Sequence, residues 1–435
     1  MMSMTGNIPY CCPIEHVLLF RLDIYRFRGY VKIDDMKKRL LSLFVAGGVV
    51  LATFAQSSRN APWSKERAWE WHRSHEWVRG CNYMSASCAN RIDQWQGYGF
   101  EERFAEAEKE LALAEEIGFN SMRVVLAESG FGVWMADHDG FMERFERTID
   151  QFDRHGMTVA VVLGNDCTRP KELWKPVKLG PQTCDWGYHG GRKVSQHGSL
   201  PDAMGWSELD DPELKVKFFA MCREVVGKYR DDRRILFWNV YNEPGNNNRA
   251  KITAPNLKEL FALLWKIDPI QPLAADIWYD GGTIEESAMN EAVAVAGALS
   301  DIISYHCYGD YLMQTLIIHD LRKRYGRPLY NTEWLHRIWR NDVFTAYPLY
   351  FLEGVGCYMW GFVAGKYQTY EPWEGIWRRQ DEGVEYDLGL DVTKWQHDLI
   401  RPSMRPYDPR EVRLIKRINA LADREADGGR RNRSL

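Results

Sequence analysis

Two glutamates ninety positions apart each end a short apolar segment of this chain. Glu243 closes the segment ILFWNVYNEPGN, and Glu333 lies near the end of PLYNTEWLHR. Both segments are rich in β-branched and aromatic residues, which predicts buried strands. A carboxylate at the end of a buried strand is costly unless it serves a purpose. Two such carboxylates can act as general acid/base and nucleophile, the pair that glycoside hydrolysis requires.

The first segment also predicts which side chains lie together. Pro244 and Gly245 stop the strand directly after Glu243. Because side chains alternate along a strand, Asn239, Tyr241 and Glu243 are expected on one face. The non-catalytic alternative is that Glu243 caps a helix and Glu333 is a surface charge.

The body of the chain alternates strand and helix eight times. Apolar strands separated by helical periodicity predict an α/β fold with a parallel sheet. Eight such units in one chain predict a single (β/α)8 TIM barrel, with its active site at the carboxyl ends of the strands. Long loops are expected after strand three (Cys167–Asp210) and after strand eight (Gly365–Tyr407). Five tryptophans in these loops predict that they wall the cleft: Trp174, Trp186, Trp206, Trp373 and Trp377.

With this pattern the chain resembles the clan A glycoside hydrolases, and within them the cellulase and mannanase group called family 5. The resemblance rests on Asn242-Glu243-Pro244 at strand four and Thr332-Glu333-Trp334 at strand seven. It implies that Glu243 is the acid/base and Glu333 the nucleophile. It also implies that Asn242 contacts the sugar 2-hydroxyl, although an asparagine there could simply cap the next turn.

The resemblance extends to other strand ends. It places Arg123 of strand two against the nucleophile, where a cation would lower the pKa of Glu333; a purely structural ion pair is the alternative. His306 and Tyr308 on strand six match a His-x-Tyr motif whose Tyr lies near the nucleophile, and two ordinary buried side chains are the alternative. Trp360 matches the aromatic floor beneath the sugar, or else is a core residue. Asn82 belongs to a Gly-x-Asn of strand one.

One departure from family 5 lies at the end of strand three. A histidine is usual there, whereas this chain has Asn165-Asp166. These two residues are predicted either to contact sugar hydroxyls or merely to turn the chain. The departure puts membership of the main cellulase and mannanase subgroups in doubt.

The N-terminal residues predict export. Met36-Lys37-Lys38-Arg39 precedes the apolar run LLSLFVAGGVVLATFA, which predicts a signal peptide over residues 36–55 with cleavage before Gln56. Residues 1–35 are then a mis-assigned extension, residues 56–423 the catalytic domain, and residues 424–435 a disordered tail. The protein is expected to be secreted or periplasmic, with membrane anchoring by an uncleaved signal as the alternative.

The net charge and the cysteine pattern limit the kinds of ligand and partner that are expected. The formal net charge of −4 argues against nucleic acid, and a carbohydrate substrate is expected. No Cys/His spacing suggests a metal site, and no cofactor is expected. Seven cysteines follow residue 55; Cys167 and Cys184 are the best candidate disulfide, although free thiols are favoured over this bridge.

These observations predict a retaining glycosidase that cleaves β-glycosidic bonds of cell-wall polysaccharides of the β-mannan, β-glucan or xylan type. A transglycosidase that uses the same residues is one alternative. A catalytically silent carbohydrate-binding barrel is the other, because a fold alone does not establish an activity.

Overall fold

Eight strands form one parallel sheet in the computed structural model, which describes residues 59–184, 189–191, 203–278 and 289–433. Every strand is buried along almost its whole length, as parallel strands covered by helices must be. The strands are β1 Arg79–Asn82, β2 Ser121–Val125, β3 Thr158–Asn165, β4 Ile235–Asn242, β5 Leu273–Ala275, β6 Ile303–His306, β7 Leu329–Trp334 and β8 Gly356–Met359.

The sheet closes into a barrel. Its strand order is β5-β4-β3-β2-β1-β8-β7-β6. The seam between β5 and β6 is joined by a parallel bridge from Ile277 to Tyr305 and by the bond from the Asp301 amide to the Leu273 carbonyl, 2.7 Å. The predicted (β/α)8 barrel is therefore confirmed, and the carboxyl ends of all eight strands meet at one mouth.

Helices alternate with the strands and cover the outside of the barrel. Their ends follow local signals: Asp211 caps the helix whose first residue is Pro212, and Gly118 ends the helix Phe100–Ile117 in the left-handed conformation. The helices are α1 Lys65–Arg73, α2 Arg91–Trp95, α3 Phe100–Ile117, α4 Ala127–Ala136, α5 His138–Arg154, α6 Pro212–Lys228, α7 Ala250–Ile267, α8 Glu291–Leu299, α9 Tyr311–Tyr325, α10 Val343–Leu352, α11 Glu374–Asp381, α12 Glu385–Leu388 and α13 Pro409–Arg433.

The barrel interior is filled below the mouth by aromatic rings. Phe237 of β4 lies 5.7 Å from the ring of Tyr330 on β7 and 6.2 Å from that of Tyr358 on β8. Because β4 does not neighbour β7 or β8 in the sheet, these contacts cross the barrel. This packed layer forms a rigid floor on which the polar side chains of the mouth stand.

The long loops after β3 and β8 meet over the mouth. The His189 ring of the first loop accepts or donates a 2.5 Å hydrogen bond to the Tyr367 hydroxyl of the second, and lies 5.7 Å from the ring of Trp360. The amide of Gly191 donates to the Pro372 carbonyl, 2.8 Å. The predicted tryptophan Trp186 lies outside the described residues.

Some sequence predictions differ from the structure or fall outside it. Helix α13 runs to Arg433, through most of the stretch predicted as a disordered tail, and no proline after Pro409 interrupts it. The seven cysteines from Cys81 onward are free, so the Cys167–Cys184 bridge does not form. The extension and signal peptide, residues 1–55, lie outside the described residues, as does the start of the helix predicted near Thr283–Leu299.

Within the described part of the chain, no helix is both long enough and apolar enough to cross a bilayer.

Candidate active site

Side chains from six strand ends converge at the mouth of the barrel around one guanidinium. Arg123 of β2 is fully buried. Its Nη1 donates to Asn82 Oδ1 (2.6 Å) and Glu333 Oε1 (2.8 Å), and its Nη2 donates to Asn242 Oδ1 (2.7 Å) and Asp276 Oδ2 (2.9 Å). The planar fork thus fixes four side chains from four other strands or strand ends.

Glu333 is held by donors on both oxygens. Oε1 accepts from Arg123, and Oε2 accepts from the Tyr308 hydroxyl at 2.9 Å. His306 Nδ1 is 3.5 Å from the same Oε2. With its oxygens fixed from two sides, the carboxylate has one orientation, as a nucleophile needs.

Glu243 follows β4 and has a positive φ of 44°. A left-handed backbone is uncommon for a residue with a side chain and stores strain that clusters at functional sites. Its Oε1 faces His306 Nδ1 at 2.7 Å, and its Oε2 accepts from the Cys167 thiol (2.9 Å) and from Asn246 Nδ2 (2.6 Å).

Asn165 and Asp166 both bond to other side chains of the protein. Asn165 Oδ1 accepts from Asn242 Nδ2 (2.9 Å), so it orients Asn242. Asp166 is fully buried and pairs with Arg249 Nε at 2.8 Å. It also accepts from the Gly245 amide at 2.6 Å and from two hydroxyls, those of Tyr241 and Thr253. These contacts favour the alternative that Asp166 turns the chain, because it fastens the turn that carries Glu243.

The expected common face of Asn239, Tyr241 and Glu243 is also wrong. Asn239 donates to Asp276 inside the barrel (2.7 Å), whereas Tyr241 donates to Asp166. The register against β5 shifts between Asn239 and Tyr241, and this irregularity breaks the alternation. As a result Asn242, one position later, points to the mouth.

His306 stands between three carboxylates. Besides Glu243 and Glu333, its Nε2 lies 3.2 Å from Asp276 Oδ2, close enough for an ion pair although not aligned as a hydrogen bond. Burial by itself lowers the pKa of His306, but the charges of Glu333 and Asp276, and its hydrogen bonds, raise the pKa to about 10. The imidazole is therefore a cation at neutral pH.

The pKa values of the two glutamates shift in opposite directions. Burial opposes ionisation of Glu243, but hydrogen bonding and charge from His306, with Cys167 and Asn246, outweigh it and lower its pKa. Burial raises the pKa of Glu333, against the opposing charges of His306 and Arg123. Arg123 acts on Glu333 in the predicted direction, although desolvation is larger and the pKa of Glu333 is raised overall.

Among the described residues, Glu243, His306 and Glu333 form a group whose nearest ligand-type atoms all lie within 4.8 Å of one another. The contacts of His306 with both carboxylates hold this group together.

A cavity opens beside this cluster. Asn82 and Arg123 line its inner side, and Trp360, 8% exposed, forms another wall. A tryptophan face next to fixed polar groups is suited to the apolar C–H face of a sugar ring. The structure therefore brings all the predicted residues except Asp166 to the mouth or directly behind it.

No family model matches this chain, and no curated protein matches it. Solved structures similar to it include the β-1,4-mannanase of the sea hare Aplysia kurodai, with 12% identity over 65% of this chain and 87% of that one, at a TM-score of 0.46. GH5_18 of Streptomyces cattleya in complex with GlcNAc has 11% identity, coverages of 80% and 79% and a TM-score of 0.49. The endo-1,4-β-mannanase of Rhizomucor miehei has 12% identity over 80% of this chain and 95% of that one, at a TM-score of 0.47. The likeness is one of fold alone, so what the protein does must be inferred from the site geometry.

Sequence reasoning missed three residues of the site. Asp276 directly follows the observed β5, and a carboxylate in that part of the sequence was a signal that could have found it. Cys167 was considered only as a disulfide candidate. Asn246 lies beyond the turn that follows Glu243, and no pattern in the sequence marks it.

Proposed function

We propose that this protein is a retaining glycoside hydrolase that cleaves β-glycosidic bonds. The observation that carries the proposal is the approach of Glu243 and Glu333, which each bring one carboxylate oxygen within 4.8 Å of the other. Retaining enzymes place their two carboxyl groups about 5–5.5 Å apart, whereas inverting enzymes need about 6.5–9.5 Å to admit a water molecule.

In the first step Glu333 attacks the anomeric carbon while the leaving oxygen receives a proton through Glu243. Arg123 and Tyr308 fix the attacking carboxylate by donating to its two oxygens. In the second step Glu243 takes a proton from water, which hydrolyses the glycosyl-enzyme. Trp360 provides the surface beneath the sugar, and Asn242, held by Arg123 and Asn165, presents its amide towards the 2-hydroxyl.

We infer the substrate class and the location from the sequence. The motifs around Glu243 and Glu333 support cell-wall oligo- and polysaccharides of the β-mannan, β-glucan or xylan type. The basic and apolar segments of residues 36–55 support action outside the cytoplasm, after cleavage before Gln56. The proposed chemistry requires no cofactor, because two carboxylates and water suffice.

Azide separates the two roles. In Glu243→Ala, an aryl β-glycoside with a good leaving group still forms the glycosyl-enzyme, and azide, which needs no deprotonation, should restore turnover and yield a β-glycosyl azide. In Glu333→Ala, azide should attack from the vacated side and yield the α anomer. The matched control is Glu110→Gln. Glu110 is a buried carboxyl of α3 whose hydrogen bonds go to Tyr83, Ser85 and Ala86. This variant should hydrolyse the aryl glycoside without forming glycosyl azides.

The assignment would be refuted if both variants kept wild-type activity or gave the same anomer. A panel of aryl β-glycosides and plant polysaccharides with sized products then identifies the sugar. Sugar binding without turnover by the wild-type protein would indicate the silent binding barrel instead.

A further inference from the structure

The acid/base carboxylate is occupied by donors before any substrate binds. His306 Nδ1 faces Oε1 of Glu243 at 2.7 Å, while Cys167 and Asn246 donate to Oε2. The two donors to Oε2 stabilise the carboxylate form of Glu243, which favours His306 as the holder of the proton in the contact between Nδ1 and Oε1.

His306 is the place where that proton can be held. Three carboxylates face it from three other strand ends: Glu243 after β4, Asp276 after β5 and Glu333 on β7. The other charged group of the cluster is Arg123, and Tyr308 on the same strand segment is an uncharged donor to Glu333. With one proton on the His306–Glu243 pair the cluster has a net charge of about −1, and loss of that proton would leave about −2 in a buried site, which is costly. Asp276 at Nε2 favours His306 as the holder of this proton.

Resting on the proposed function, we propose that His306 stores the proton that Glu243 passes to the leaving group, and that Asp276 is the positioning residue that keeps the proton on His306. As Glu333 bonds to the anomeric carbon and the glycosidic bond breaks, the proton moves from His306 Nδ1 to Glu243, and Glu243 delivers one to the leaving oxygen. In the second step Glu243 takes a proton from water and returns one to Nδ1. No other reactant is needed, and the cycle restores the starting state.

The coupling to bond formation is built into the contacts. Conversion of Glu333 to a neutral ester removes one of the negative charges that hold the proton on His306, and the charge of Glu333 is the largest of those that raise the pKa of this imidazole. Proton release is thus favoured when the leaving group needs it. Throughout the step the cluster stays at a net charge of about −1, because one carboxylate and one imidazolium lose their charges together.

The geometry favours Glu243 over Glu333 as the proton acceptor. Nδ1 is 2.7 Å from Glu243 Oε1 but 3.5 Å from Glu333 Oε2, beyond a good hydrogen bond. Asp276 is fully buried and accepts from Arg123, Asn239 and Thr332, so it touches no substrate. Its effect on catalysis must therefore pass through the residues that it contacts, chiefly Arg123 and His306, and a shift of the alkaline limb reports on the proton of His306.

The test is the pH dependence of kcat/KM in Asp276→Asn, a change that removes a charge and keeps the shape. On a substrate with a poor leaving group we expect the alkaline limb to move to lower pH by about one unit or more, since an opposite charge within about 4–6 Å shifts a pKa by about 1–3 units. The control is Thr332→Val, which removes one hydrogen bond to Asp276 (2.9 Å) and no charge, and should leave the alkaline limb in place. An activated aryl glycoside, which needs little protonation, should not show the shift.

A second measurement uses the wild-type protein and needs no activity. Nitrogen NMR of histidine-labelled protein should show one imidazole with both nitrogens protonated up to about pH 9, assigned by its absence in His306→Gln. A neutral His306 at pH 7 would overturn the proposal, and so would an unmoved alkaline limb in Asp276→Asn or an equal shift in Thr332→Val. Inactivity of the wild-type protein on all glycosides would instead overturn the proposed function, while the NMR result would still locate the proton.

Discussion

Replacing Asp166 with Asn tests whether this residue supports the turn that carries Glu243, the proposed acid/base, or contacts the substrate. The carboxylate pairs with Arg249 and accepts hydrogen bonds from the Gly245 amide, Tyr241 and Thr253. Gly245 has a positive φ of 86°, and a Cβ there would lie 2.5 Å from an Asn290 side-chain atom, so the turn has little freedom of its own. The variant keeps the shape but loses the charge and presents an N–H to donors.

The expected cost follows from the burial of the ion pair. Removing one partner of a buried pair destabilises a protein by about 3–5 kcal/mol. Arg249 retains a second carboxylate, Asp210 at 2.5 Å, so we expect the lower end of the range. The unfolding entropy of about 380 residues is roughly 0.8 kcal/mol/K at about 2.1 cal/mol/K per residue, so a loss of about 3 kcal/mol lowers Tm by about 4 °C.

Thermal unfolding and steady-state kinetics on one substrate measure both consequences. Asp166→Asn should lower Tm by about 4 °C and lower kcat with little change in KM, because the turn that carries Glu243 loosens while the sugar contacts remain. The control Thr253→Val removes one hydrogen bond to Asp166 and no charge, and should cost about 1 kcal/mol, or about 1 °C. An unchanged Tm together with a raised KM would refute this reasoning and restore Asp166 as a sugar-binding residue.

Three further predictions concern the nucleophile and the N-terminus. Tyr308→Phe removes a hydrogen bond to ionised Glu333, an interaction of about 1.5–3 kcal/mol, so kcat/KM should fall about 10- to 100-fold in steady-state assays; an unaffected rate would contradict the role of the hydroxyl. Because burial raises the pKa of Glu333 above its ordinary 4.5 and the nucleophile must be ionised, activity should fall as the pH drops through that raised pKa; an acid limb with its midpoint below 4.5 would contradict this direction. N-terminal sequencing of exported protein should begin at or near Gln56, whereas soluble, active protein that begins at Met1 would contradict the signal peptide.

The sequence by itself determined the barrel and the two glutamates. Apolar strands that alternate with amphipathic helices can bury both faces only in a parallel sheet covered by those helices. Eight such strands close into a barrel. Since the strands are parallel, residues that end them must meet at one mouth, whatever the packing details. For this reason Glu243, Glu333, Arg123 and His306 could be placed together from their positions in the chain.

The directions of individual side chains were decided only by the tertiary structure. Strand alternation fails in β4, where the register shift sends Tyr241 to Asp166 and turns Asn242 to the mouth. The backbone of Glu243 then adopts a positive φ that no periodicity signals. Whether Asp166 faced a sugar or Arg249 depended on a cation 83 positions away in the chain.

The protonation of the cluster is likewise a property of the folded chain. Each of Glu243, Asp276, His306 and Glu333 has an ordinary pKa in the unfolded chain. Burial removes the water that would screen them, and the closing of the barrel brings three carboxylates and an imidazole into contact. Sequence fixes which groups reach the mouth, but the distances of about 3 Å between them, set by packing on the aromatic floor, decide which group carries the proton.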